Sequence, residues 1–196
     1  MTLRAEDFVR LHGRLNYVTA VLRDSLKARH AFMLPPGSAA LFQPDVPLFG
    51  SDVANKFATI TYDIEECAKC IALQRATAAA FHSIRCLEAG IRALARCLSI
   101  PDPTKASGRN WGSMLKDIKD AIDKKWPTSS HRLSGDGEFF ENAYAALASM
   151  QNPWRNATMH LDQKYTVEEA RNIFEVVKGF MARLASRMDE DGLPKV

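Results

Sequence analysis

Apolar residues recur at three- and four-residue steps along most of this chain, and no segment alternates polar with apolar over the length of a strand. That period places the apolar side chains on one face of a helix, whereas a half-buried strand needs a period of two. Leu11, Leu15, Val18, Leu22 and Leu26 form such a stripe within a first helix expected over 3–32. Ala80, Ile84, Leu87, Ile91, Leu94 and Leu98 form another over 77–98, stopped by Pro101 and Pro103. Between these lies a helix over 53–73, with an interruption expected near Thr61. Trp111, Leu115, Ile118 and Ile122 mark a helix over 111–125, closed by Pro127, and Phe140, Tyr144 and Leu147 mark one over 138–151. The last helix begins at Thr166-Val-Glu-Glu169, a capping box, and carries Ile173, Val177, Met181 and Leu184 on one side. Arg183 and Arg187 suit its C-terminal dipole, and Gly192 and Pro194 follow it. The fold class read from this pattern is all-α, an up-and-down helical bundle with an N-terminal helical extension.

Residues 33–51 contain Pro35, Pro36, Gly37, Pro44, Pro47 and Gly50, a density expected to exclude a regular helix. Leu41, Phe42, Val46, Leu48 and Phe49 make the segment too apolar for a solvated linker. It reads as a loop packed on the body, with a partner-contact surface as the alternative. The expected organisation is therefore an N-terminal helix and proline-rich loop over 1–52, a helical bundle over 53–188 and a tail over 189–196.

The charge pattern limits the function classes. The net charge is +3, and successive quarters of the 196 residues carry +2, +1, 0 and 0. No basic tail or stripe exists to wrap DNA tightly, although a small polyanion contact remains open. No run of about 18 apolar residues suggests a membrane span. The start, MTLRAEDFVRLHGRL, lacks the apolar stretch of a signal peptide, so a cytoplasmic location is expected. Cys67 and Cys70 form a lone C-x-x-C in helical sequence, while Cys86 and Cys97 are not a second close pair. These read as ordinary thiols, with no metal site and no cofactor expected. No Glu is followed by a His three residues later, as a di-iron bundle requires, and no P-loop, dinucleotide, zincin or nucleophile-elbow motif is present.

The informative stretch is Asn152-Pro-Trp-Arg-Asn-Ala-Thr-Met-His160. On a continuous helix Arg155 and His160 stand about 140° apart, whereas Asn156 and His160, four apart, share a face. A bend near Pro153, or a second protomer, would bring Arg155 and His160 together. His exchanges a proton near neutral pH, Arg clamps a phosphate bidentately, and an Asn amide orients either. These three suffice for RNA transesterification, although a solvated Arg and a hydrogen-bonded His at an ordinary helix end fit the spacing too. Glu88 is a candidate support, pairing with Arg155 or, locally, with Arg85 or Arg92. Arg85 is a candidate phosphate contact or salt-bridge former. His82 reads as a packed or capping residue, His131 as exposed in a loop, and Trp154 as packing the motif or stacking on a base.

The chain resembles the HEPN domains (higher eukaryotes and prokaryotes nucleotide-binding). The likeness rests on Arg155-Asn156, four intervening residues before His160, and the Tyr165–Ala170 cap of a final helix. Tyr62-Asp-Ile-Glu-Glu-Cys-Ala and Phe81-His-Ser-Ile-Arg-Cys-Leu-Glu88 also look like bacterial members. The resemblance covers about residues 53–188. It implies a metal-independent endoribonuclease that acts as a homodimer, with the two Arg–His motifs facing each other. Toxin or antiphage-defence roles are common in the family, with an antitoxin or regulatory protein as partner. Members that lack the motif serve as nucleotide- or protein-binding modules. The N-terminal extension lies outside the resemblance.

Overall fold

The computed structural model describes residues 4–29, 32–104, 111–128, 134–151 and 164–193. Its regular elements are all helical, with no strand among the described residues: α1 (Ala5–Lys27), α2 (Pro36–Phe42), α3 (Ser51–Lys56), a 3-10 turn (Ala58–Ile60), α4 (Thr61–Ala72), α5 (Ala76–Cys97), α6 (Trp111–Lys125), α7 (Gly135–Met150) and α8 (Val167–Ala185). No helix among the described residues is long and apolar enough to cross a membrane.

The chain divides into two compact units between Met33 and Leu34. In the first, Asp7 folds back to accept from the Arg4 amide at 3.1 Å and starts α1. The apolar residues Leu11, Leu15, Val18, Leu22 and Leu26 are all exposed along it. The division falls before the proline-rich segment, not after it at residue 52. That segment also contains a helix, α2, because Pro35 is its N-cap and Pro36 its first residue, the positions where a missing N–H costs nothing. Phe49 is buried beyond it and meets Phe174 of α8 edge-on at 5.0 Å.

The second unit is built around α5. Ala76, Ala79, Ala80, Ser83, Ala89, Gly90, Ala93 and Ala95 are buried there alongside Ile84, Leu87, Ile91 and Leu94. Residues this small, spread around a helix, let neighbours approach on several sides, and α5 packs most closely on α4 and α8. The approach of α8 is tightest at Gly90, where an added Cβ would lie 2.9 Å from Phe180 Cε1 and 3.0 Å from Leu184 Cδ1. The pair α6 and α7 packs beside this layer. Trp126 stacks on Phe140 at 5.3 Å, and Lys119 ties Asp123 to Glu141 at 2.6 and 3.0 Å.

Three connections fix the helices. The interruption near Thr61 is real: Phe57 leaves helical geometry (φ −130°, ψ 53°), and its ring is fully buried. The turn from α4 to α5 is short, with Gln74 left-handed (φ 59°), Gln74 N–H donating to Ile71 O at 3.1 Å and Arg75 N–H to Cys70 O at 2.7 Å. This is the Schellman pattern, and it makes α4 and α5 an antiparallel hairpin. After α8, residues 189–193 turn back as a strap. Glu190 N–H donates to Lys56 O at 2.8 Å, and Arg96 donates to Glu190 O at 2.6 Å. Gly192 (φ +74°) sits so close to α5 that a Cβ there would fall 2.6 Å from the Cys97 nitrogen.

Both halves of the expected capping box are present on α8. Glu169 N–H donates to Thr166 Oγ1 at 3.2 Å, and Thr166 N–H donates to Glu169 Oε2 at 2.7 Å.

Two measurements test this account. Gly90→Leu forces atoms into filled space, and urea denaturation should show a loss of roughly 1–3 kcal/mol. The cap bonds from Thr166 backbone and hydroxyl hold the Glu169 carboxyl below its usual range. A depressed carboxyl stabilises above its unfolded pKa, and that stability is lost as pH falls through the folded value. Thr166→Ala should therefore lower the melting temperature at pH 7, with the gap to wild type narrowing below about pH 4.

Candidate functional site

The α4–α5 hairpin sets Asp63, in the first turn of α4, opposite His82 and Arg85 on α5. One carboxylate oxygen, Asp63 Oδ1, accepts from His82 Nδ1 at 2.8 Å and from Arg85 Nε at 2.7 Å. The Asp63 side chain is only 8% exposed, while those of His82 and Arg85 are 20% and 52% exposed. Two donors on one oxygen offset the desolvation of a buried carboxylate. The arrangement also fixes both partners. A carboxylate can only accept, so His82 donates from Nδ1, and its Nε2 makes no hydrogen bond among the described residues. Arg85 uses Nε on Asp63, and its two terminal nitrogens make no hydrogen bond among the described residues. The Asp63 hydrogen bond and charge, together with the nearby Glu88, raise the Arg85 pKa further and keep the guanidinium charged.

Two rings flank His82 edge-on: Tyr62, with centroids 6.3 Å apart, and Phe81, at 5.9 Å. Both are well exposed, Tyr62 by 64% and Phe81 by 43%. Phe81 and Arg85, four apart, share the outer face of α5, and half-buried Glu88 follows one turn on.

Beneath this surface the hairpin holds thiols. Cys67 Sγ donates to Ala79 O at 3.2 Å and lies 3.1 Å from Ser83 Oγ, both buried. Burial pushes the Cys67 thiol up to about 12 and the Cys86 thiol higher still, while Cys70, half-buried, is raised less. None of the four cysteines is in a disulfide. Among the described residues, no three His, Cys, Asp or Glu side chains gather as metal ligands.

Arg155, Asn156, His160 and Trp154 lie outside the described residues, as does His131. Of the two supporting residues, Arg85 is in the cluster, bonded to Asp63 rather than to Glu88. Glu88 forms no ion pair with Arg85 or Arg92 within 4 Å. His82 is neither simply packed nor a cap, but a hydrogen-bonded partner of Asp63. Asp63 was given no role by sequence reasoning. The signal was there in the short turn at Leu73–Arg75: an acid about ten residues before it faces residues about ten after it once the helices pair antiparallel.

Comparison with family models, with curated proteins and with solved structures returned no match.

The thiols give a direct check on this packing. With a pKa of about 12, Cys67 is thiolate at only about one part in 10⁴ at pH 8. Ellman's reagent should leave Cys67 and Cys86 unmodified in the native protein, and urea should expose all four cysteines. Rapid native modification of either would refute the buried placement.

Proposed function

We propose that the chain is a metal-independent endoribonuclease of the HEPN type. The observation that carries this reading is the order Arg155-Asn156, four residues, His160, then a capped long helix, in a chain that folds as an all-helical bundle. In the proposed reaction the 2′-oxygen of a ribose attacks the adjacent phosphorus as the bond to the 5′-oxygen breaks. His160 serves as general acid or base, moving a proton off the 2′-hydroxyl or onto the departing 5′-oxygen. Arg155 clamps the phosphate and stabilises the charge that grows on it, and Asn156 orients the pair. The products are a 2′,3′-cyclic phosphate and a 5′-hydroxyl. Arg85 and Glu88 on α5 are supporting residues in this proposal. The working form is a cytoplasmic homodimer acting as a toxin or defence effector, held in check by an antitoxin or other regulatory protein.

A second reading is a non-catalytic module that binds nucleotide or protein. The exposed apolar stripe of α1 favours it, since Leu11, Leu15, Val18 and Leu22 offer a helix-sized contact face.

RNA incubated with the protein in excess chelator separates the two. Wild type should leave 2′,3′-cyclic phosphate ends, and His160→Ala should lose roughly 10²-fold or more of the rate. DNA should stay intact, because it lacks the attacking hydroxyl. Undiminished cleavage by His160→Ala would remove the catalytic assignment, and an inactive wild type would favour the binding module.

A further inference from the structure

We propose that Tyr62, Phe81, His82 and Arg85, held by Asp63, form a binding subsite for one nucleotide of a single-stranded nucleic acid. The subsite stands on the α4–α5 hairpin and does not depend on whether Arg155 and His160 catalyse.

Three observations lead to a ligand of this chemistry. First, Arg85 is anchored at one edge and open at the other. Asp63 takes Nε at 2.7 Å, which restrains the guanidinium, and its terminal nitrogens form a planar two-donor fork without a protein partner among the described residues. Such a fork matches two oxygens of a phosphodiester. Second, His82 shares the same carboxylate oxygen through Nδ1, leaving Nε2 as a further polar contact. A single buried acid thus aligns two ligand-facing groups that would otherwise each need separate support. Third, Phe81 and Tyr62 each meet the His82 ring edge-on and are exposed, although both are large rings close to the Asp63–Arg85 pair. Exposed aromatics next to a phosphate-binding Arg provide the stacking face that unpaired bases use. A base pair buried in a duplex has no free face to offer, so the subsite selects a single strand.

The electrostatics agree with a local contact instead of broad wrapping. Glu88, one turn beyond Arg85, limits the cationic patch on that side, so the phosphate belongs on the Phe81 side of Arg85. The near-neutral charge of the chain fits the same picture, because a subsite of one Arg and two rings needs no basic stripe.

The test uses a fluorescently labelled single-stranded RNA in which every 2′-oxygen is methylated. It cannot be cleaved by 2′-oxygen attack, so binding is read apart from catalysis. Fluorescence anisotropy at low salt should show binding by wild type, weakened roughly five- to hundredfold in Arg85→Ala and again in Phe81→Ala. Asp63→Asn keeps the side chain's shape but removes the charge that anchors Arg85, and it should weaken binding without contacting the ligand. Thermal melts identify variants that stay folded, and Arg85→Gln replaces Arg85→Ala if the latter does not. Absence of wild-type binding, or unchanged affinity in folded Arg85 and Phe81 variants, would overturn the subsite. So would a fall in oligomer mass with affinity unchanged, which would assign the rings to a contact between protein copies. Loss of RNA cleavage in His160→Ala, with binding of the methylated strand retained, separates this subsite from the catalytic proposal.

Discussion

The enclosure of α5 is the constraint on which the bundle depends. Alanines, Gly90 and Ser83 let α4 and α8 come within direct backbone-to-side-chain reach of the helix, and Phe180 and Leu184 occupy the space a Cβ at Gly90 would need. Interiors packed to this density respond to changes of a single methylene, so α8 cannot shift without opening a void along α5. The strap over 189–193 closes the same assembly at its other end, joining α3 to the C-terminus of α5 through Glu190 and Arg96.

A helix enclosed in this way keeps only a narrow outer lane. On α5 that lane holds Phe81, Arg85, Glu88, Arg92 and Arg96, and the helix has little other surface on which to display chemistry. Asp63 reaches this lane from the facing helix and holds two of its neighbours with one oxygen. In a partly desolvated setting such hydrogen bonds are stronger than in water, and they restrict the rotamers of long side chains that would otherwise be disordered. Preorganisation of this kind lowers the entropy lost when a ligand binds.

The helices were legible in the sequence because their apolar period is regular. The expected span 111–125 is the observed α6, and α5 differs from its expected range by one residue at each end. The break at Phe57 lies a few residues before the interruption expected near Thr61. What the period could not reveal was the proline-rich segment, where Pro35 and Pro36 start a helix instead of preventing one. Nor could it reveal the cluster at Asp63. His82 and Arg85 are three apart and were read as separate residues of one helix, whereas their common partner is set by the turn between two helices. Pairing across a hairpin depends on turn length and helix phase together, and neither is visible in the spacing of apolar residues. The Arg155–His160 stretch was legible as chemistry alone, and its residues lie outside the described ones.

The order of the chain gives the enclosure of α5 a temporal side. The contacts of Asp63 with His82 and Arg85 span 19 and 22 residues, so the hairpin and its cluster assemble from local sequence. The face of α5 that meets Phe180 and Leu184 is completed only by residues some ninety positions later. During synthesis at roughly 5–20 residues per second, that alanine-rich face waits uncovered for several seconds after the hairpin can form. A nascent chain halted before α8 would display an ordered polar cluster beside a naked apolar groove, a combination that invites chaperone capture.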